Sequence, residues 1–169
     1  MPARKRLTHL NASNHVQMVD VGDKSVTERY ASAQAIVILP AACRAVLAAG
    51  GATRKGNVFE VARLAGIMAA KRTSELIPLC HQIPLAGISV ELMLKGKRLF
   101  ITATVRCRGQ TGVEMEALTA ASIAALTAYD MLKAISHDLV IGPIELLTKD
   151  GGRSGRIDRR SATLKRSKK

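Results

Sequence analysis

Two pairs of ionisable residues bracket a run of small apolar ones between Gly109 and Ala134: Glu114 and Glu116 before it, Asp130 and Lys133 after it. Charged groups are costly to bury unless they are paired or used. A helix of Ala, Leu, Ile, Thr and Ser with acids at one end and an acid–base pair at the other therefore reads as an active-site wall. Asp130 and Lys133 stand at i, i+3 on one helix face. Most such pairs are weak surface ion pairs. Here the neighbours Tyr129, Met131, Leu132 and Ile135 are apolar. A lysine partly desolvated among them would lose proton affinity and could serve as acid or base. Glu114 and Glu116 diverge by roughly 200° on a helix and share a face in an extended segment. The helix dipole alone would also favour acids in a first turn.

Cys80 and His81 lie in LIPLCHQIPL (76–85), which two prolines mark as an extended, constrained loop. One Cys beside one His is too few ligands for a zinc site. His81 is better placed to hydrogen-bond or shuttle protons, with a purely structural histidine as the alternative. Lys24, Arg29, the Arg54–Lys55 and Lys71–Arg72 pairs and Lys149 fall near expected loops or helix ends. Singly each reads as a solvated surface charge; together they could clamp a polyanion such as a triphosphate. No Walker-type or G-x-G-x-x-G loop is present to do that instead.

The elements that must position these groups follow from pattern. AQAIVIL (33–39) is a β-rich run, and Pro40 opens a helix that stops at Gly50-Gly51. TRKGN (53–57) is a polar turn, and Asn57 can cap the next helix. In that helix Val58, Val61, Leu64, Ala65 and Met68 follow three-and-four spacing. ISVELML (88–94) and LFITATVRC (99–107) alternate about a KGKR turn, as a hairpin does. The small-residue helix runs from about Glu114 to Ile135, and DLVIGPIELLTK (138–149) is a last strand broken by Gly142-Pro143. The order β-α-α-β-β-α-β reduces to the split β-α-β of a ferredoxin-like α+β fold, with helices on one face of an antiparallel sheet. A bare sheet face and Ala-rich helices hint at an oligomer.

At 169 residues and 47% hydrophobic the chain has material for one domain with a real core. The net charge of +13 suggests a nucleic-acid binder, but its distribution weakens that idea. Residues 1–6 and 153–169 hold eleven basic residues and one acid, or +10 of the total. The expected organisation is a flexible basic arm at 1–15, a catalytic domain at 16–152 and a flexible basic tail at 153–169. Such arms attract polyanions without specificity. With no Trp, two Tyr and two Phe, a base-stacking platform is missing. Three cysteines without a CxxC pair fit reduced thiols in the cytoplasm. The N-terminus lacks the apolar stretch of a signal peptide. Asp130 and Lys133 argue against a lipid setting for the long helix.

AKRTSELIPLCHQIPL (70–85) and TGVEMEALTAASIAALTAYDMLKA (111–134) closely resemble the signature segments of the cyclic pyranopterin monophosphate synthase family, MoaC. LTHLN (7–11), MVDVGDK (18–24), RKGNVFEVARLAGIMAAKR (54–72) and DLVIGPIELLTKDGG (138–152) extend the match to roughly residues 7–155. The resemblance implies a ferredoxin-like homohexamer, a trimer of dimers with sites between subunits. It implies a phosphorus–oxygen lyase of molybdenum cofactor biosynthesis. The substrate would be (8S)-3',8-cyclo-7,8-dihydroguanosine 5'-triphosphate, converted to cyclic pyranopterin monophosphate and diphosphate. The family's catalytic positions fall on Lys55 and Lys133, joined by Asp130. Its binding positions fall on His81, Cys80, Glu114, Met115, Glu116, Asp20, Lys24, Arg29, Lys71 and Lys149. No metal site or cofactor is implied, beyond room for Mg2+ on the triphosphate. Two departures stand out: the usual LCHP reads LCHQ with Gln82, and the usual KGD reads KGN with Asn57. Neither removes a proton carrier. Two rivals remain at this level: an RNA-binding ferredoxin-like module using the basic tails, and a nucleotide-binding regulator without activity.

Overall fold

The computed structural model describes residue 13, residues 15–152 and residues 155–159. The chain forms β1 (Thr27–Ile38), α1 (Ala41–Ala48), β2 (Ala52–Thr53), β3 (Gly56–Asn57), α2 (Val58–Lys71), α3 (Thr73–Leu76), β4 (Leu85–Lys95), β5 (Arg98–Gly109), α4 (Glu114–Leu132), β6 (Val140–Asp150) and β7 (Ile157–Asp158). The main sheet has the order β4-β5-β1-β6-β7, antiparallel throughout. Strands β1, β4, β5 and β6 with helices α2 and α4 make the expected ferredoxin-like α+β arrangement.

Strand alternation decides which sheet face is covered. On β5, Leu99, Ile101, Ala103, Val105 and Cys107 are fully buried, while Phe100, Thr102 and Thr104 on the other face are partly exposed. Ala31, Ala33, Ala35 and Val37 continue the buried face on β1. Helix α4 lies over that face, touching β1, β5 and β6, and α2 packs beside it. Being enclosed on several sides, α4 buries Ala117, Ala120, Ala121, Ala124, Ala125 and Ala128 completely. Its small side chains let neighbouring backbones come close. At Gly66 of α2 an added Cβ would lie 2.9 Å from the Ala120 carbonyl oxygen and 3.2 Å from the Ala124 Cβ.

The apolar stripe expected to bury α2 points elsewhere. Ala62, Gly66, Ala69 and Ala70 face α4 with Val58, whereas Val61, Leu64 and Met68 are exposed. The small residues win because they allow the close α2–α4 approach; the larger side chains are left outside. Both faces carry three-and-four spacing, so periodicity alone could not choose between them.

Asn57 caps α2 as expected: its Oδ1 accepts from the Phe59 and Glu60 amides at 3.0 and 3.2 Å, and its Nδ2 donates to the Gly50 carbonyl at 2.7 Å. A cap of this kind stabilises a helix by about 1 kcal/mol. The RKGN turn is thereby fixed as the β2–β3 hairpin, in which the Thr53 hydroxyl donates to the Gly56 carbonyl at 2.8 Å. Residues 53–57, expected as a polar turn, carry the paired strands β2 and β3, and the long helix ends at Leu132, three residues before the expected Ile135. The basic arms expected at 1–15 and 153–169 lie largely outside the described residues. Within the second, Ile157–Asp158 pair with Lys149 and Thr148 on β6, so that stretch is a strand and not loose tail. An exposed β6 edge offers backbone hydrogen bonds that composition does not reveal.

Candidate active site

The residues singled out by chemistry collect at the two ends of α4. At its C-terminal end Asp130 joins two lysines. Lys133 donates to Asp130 Oδ1 at 2.8 Å. Lys55, brought from the β2–β3 hairpin, donates to Asp130 Oδ2 at 2.7 Å and to the Asp130 carbonyl at 3.1 Å. This contact spans 75 residues of sequence. It follows from antiparallel packing of α2 on α4, which sets the start of one helix beside the end of the other.

All three side chains are about half exposed. The hydrogen bonds from Lys133 and then Lys55 hold the Asp130 carboxyl down at about 2. Asp130 in turn raises the proton affinity of Lys133. That corrects the expectation of a desolvated lysine with lowered affinity: the ion pair outweighs the modest burial. In the single chain the Asp130 ion pair therefore favours the protonated form of Lys133. The sign for stability follows. A carboxyl with a depressed folded-state pKa stabilises the fold above its unfolded value near 4, and that contribution is lost as pH falls toward 2. Asp130→Asn should therefore flatten the fall of the thermal midpoint between about pH 4 and pH 2, read by scanning calorimetry. An unchanged slope would show that Asp130 does not carry it.

At the N-terminal end of α4 a cavity of about 470 Å³ opens. Its polar lining is Lys24, Cys80, His81, Thr111, Glu114 and Glu116, with Met115 among the apolar walls. Helix α4 begins here, and Glu114 and Glu116 diverge as helical geometry requires. Glu114 turns to Lys149 of β6, with Oε1 3.2 Å from Nζ. Glu116 turns inward, only 4% exposed, and its Oε2 finds no hydrogen-bond partner among the described residues. Burial raises its pKa and the neighbouring Glu114 adds to the rise. Burial likewise pushes the Cys80 thiol up, with Glu116 contributing. His81 Nε2–H donates to the Val19 carbonyl at 2.8 Å. A carbonyl can only accept, so the proton sits on Nε2 and a neutral ring offers Nδ1 as acceptor.

The other expected binding residues divide. Asp20 accepts from the Gly22 amide at 2.8 Å, bracing the loop that carries Lys24. Gln110 ties the same loop down by donating to the Gly22 carbonyl at 2.8 Å. Arg29 donates to the Gly109 and Gln110 carbonyls at 3.2 and 3.3 Å and fixes the approach to α4, outside the cavity lining. Lys71 is exposed on the last turn of α2 and does not line the cavity. Sequence reasoning missed the walls formed by Val19, Val21, Ile77, Leu79 and Ile83. Val19 and Val21 flank Asp20 in MVDV, and that alternation was the available signal.

The chemistry of the two ends differs. The cavity can hold a polar ring among hydrogen-bonding groups, with Lys24 and Lys149 supplying positive charge. The Lys55–Asp130–Lys133 cluster can move protons and stabilise developing negative charge. Asp130 follows Glu114 by sixteen residues on one helix, or about 24 Å of rise. The two groups thus lie at opposite ends of the helix. Among the described residues no group of three or more His, Cys, Asp or Glu side chains converges to hold a metal ion. No helix among them is long and apolar enough to cross a membrane.

The MoaC family model matches residues 18–152. A cyclic pyranopterin monophosphate synthase of Chloroflexus aurantiacus is 56% identical over 155 residues, covering 90% of this chain and 94% of the relative. One of Chloroflexus aggregans is 55% identical over 152 residues, covering 89% and 92%.

Proposed function

The chain belongs to the MoaC family, and from that membership we propose that it is a cyclic pyranopterin monophosphate synthase, a lyase of molybdenum cofactor biosynthesis. One observation carries this function: relatives bearing that name share more than half of their residues with the chain over nearly its whole length. The substrate is the cyclic dihydroguanosine triphosphate, and the products are cyclic pyranopterin monophosphate and diphosphate.

The active site is composite, formed where the cavity of one subunit meets the Lys55–Asp130–Lys133 cluster of another. Two features support this. The halves lie at opposite ends of α4, about 24 Å apart along its axis. The exposed Val61, Leu64 and Met68 on α2 are an apolar stripe of the kind subunit interfaces cover. Among closed homo-oligomers, the assembly proposed is a hexamer, a trimer of dimers. Lys133 and Lys55 exchange protons with the purine-derived ring, and Asp130 holds them in register. His81, Cys80, Met115, Glu114 and Glu116 surround the ring. Lys24 and Lys149 hold the triphosphate and stabilise charge on the departing diphosphate. Arg29 and Asp20 shape this end from outside, and Lys71 adds field. No cofactor is required; Mg2+ would arrive with the triphosphate. The three free cysteines, Cys43, Cys80 and Cys107, suit a cytoplasmic setting.

The test is direct. Purified protein supplied with the cyclic dihydroguanosine triphosphate should release diphosphate and the pyranopterin product in equal amounts. A folded, assembled protein that releases neither overturns the proposed function.

A further inference from the structure

Glu114 is held on the cavity wall between two fixed points. Its Oε1 lies 3.2 Å from Lys149 Nζ, with the two side chains only 29% and 16% exposed. Its other oxygen, Oε2, rests against the bare Cα of Gly112, two residues back. A Cβ at Gly112 would lie 2.7 Å from Glu114 Cδ and 2.9 Å from Oε1, and nearer still to Oε2. These are the three nearest atoms it would meet, so one carboxyl group fills the space beside Gly112. The φ of Gly112 lies outside the left-handed region, so its backbone does not by itself demand glycine. The carboxyl group does.

The backbone on either side of Gly112 is pinned. Arg29 donates to the Gly109 and Gln110 carbonyls at 3.2 and 3.3 Å, and Gln110 Nε2 donates to the Gly22 carbonyl at 2.8 Å. Val113, next along the chain, is fully buried. A side chain at 112 is therefore accommodated by the flexible end of Glu114 and not by the backbone. Gly112 and Glu114 both line the cavity, so the displaced carboxylate leaves Lys149 and enters the space a ligand needs. We propose that Gly112 is a positioning residue: its bare Cα is the seat of the Glu114 carboxylate, which in turn fixes the Lys149 ammonium beside the cavity. This rests on the proposed function only for the identity of the ligand. Gly112 acts through Glu114 at the binding end of α4, while the proton-moving cluster lies at the other end, so it moves KM and leaves kcat alone.

The experiment compares wild type with Gly112→Ala, Glu114→Ala and the double variant. Gly112→Ala should raise KM for the cyclic triphosphate about ten- to thirtyfold, the scale of one lost charged hydrogen bond, with kcat within about twofold. Its melting temperature should not fall, because alanine at a compatible φ restricts the unfolded chain. Calorimetry with guanosine 5'-triphosphate, which carries a guanine base and the same triphosphate, should show the same loss in Kd without turnover. In the Glu114→Ala background, adding Gly112→Ala should change KM and Kd by less than about twofold, since the seat is then empty. Unchanged KM and Kd in Gly112→Ala overturn the proposal. Equal losses with and without Glu114 overturn it too, because Gly112 then acts independently of that carboxylate. So does a lowered melting temperature that Glu114→Ala does not restore, which puts the clash on the backbone. Protein that shows the coupling in Kd but turns over no cyclic triphosphate sinks the proposed function and leaves the role of Gly112 standing. Wild type that neither binds nucleotide nor turns over substrate overturns both.

Discussion

Lys133→Ala is expected to lower diphosphate release by about 10³-fold, the scale of a lost general acid–base group. The side chain is about half exposed and its contact with Asp130 is an i, i+3 pair. Such pairs contribute little to folding, so the melting temperature and assembled mass should stay near wild type. The loss should fall mainly on kcat, because the cavity that holds the ring lies at the other end of α4. Lys133→Arg separates charge from proton transfer. Arginine keeps the positive charge and the partnership with Asp130 but does not give up its proton near neutral pH. If Lys133 moves a proton, the Arg variant should be nearly as inactive as the Ala variant. Turnover within about tenfold of wild type in either variant would reassign the step.

The second large effect comes from mixing inactive proteins. Lys133→Ala disables the cluster end of every subunit, and Glu114→Ala with Lys149→Ala disables the cavity end. If each site takes its two halves from different subunits, co-assembly of the two variants in equal amounts should restore activity. Random pairing across a symmetric interface leaves about a quarter of the sites with both halves intact. Activity should thus climb from near zero in each parent to about a quarter of wild type. Mixing without dissociation and reassembly should restore nothing. Co-assembled protein, verified by mass, that stays as inactive as its parents would mean that each site is built within one chain. The about 24 Å between the ends of α4 would then need another explanation.

Several features were legible because they depend on local chemistry. Asn57 reads as a cap because its side chain reaches the amides two and three residues on, and it does so here. The 99–107 strand reads correctly because strict alternation has one meaning on a sheet. The 114–135 helix reads correctly in place but long, since nothing in Lys133-Ala134-Ile135 announces its end. Cys80, His81, Glu114 and Glu116 stood out as polar groups in constrained or apolar settings, and folding gathers them around one cavity.

Other features lay beyond any local pattern. The stripe Val61, Leu64, Met68 and the stripe Ala62, Gly66, Ala69 fit a helix equally well; which one turned inward was settled by how closely α4 could approach. The proton affinity of Lys133 was misjudged for a related reason. Apolar neighbours in sequence suggested desolvation, but the side chain reaches outward to Asp130, which also receives Lys55 across 75 residues. The sequence by itself determined the elements, their order and the kinds of residue available for catalysis, since these follow from period, turn chemistry and composition. Only the tertiary structure decided which groups meet. Separating the two halves of the site along α4, rooting the basic arm at β6 and turning Glu116 inward are consequences of packing between segments far apart in the chain, which no local pattern encodes.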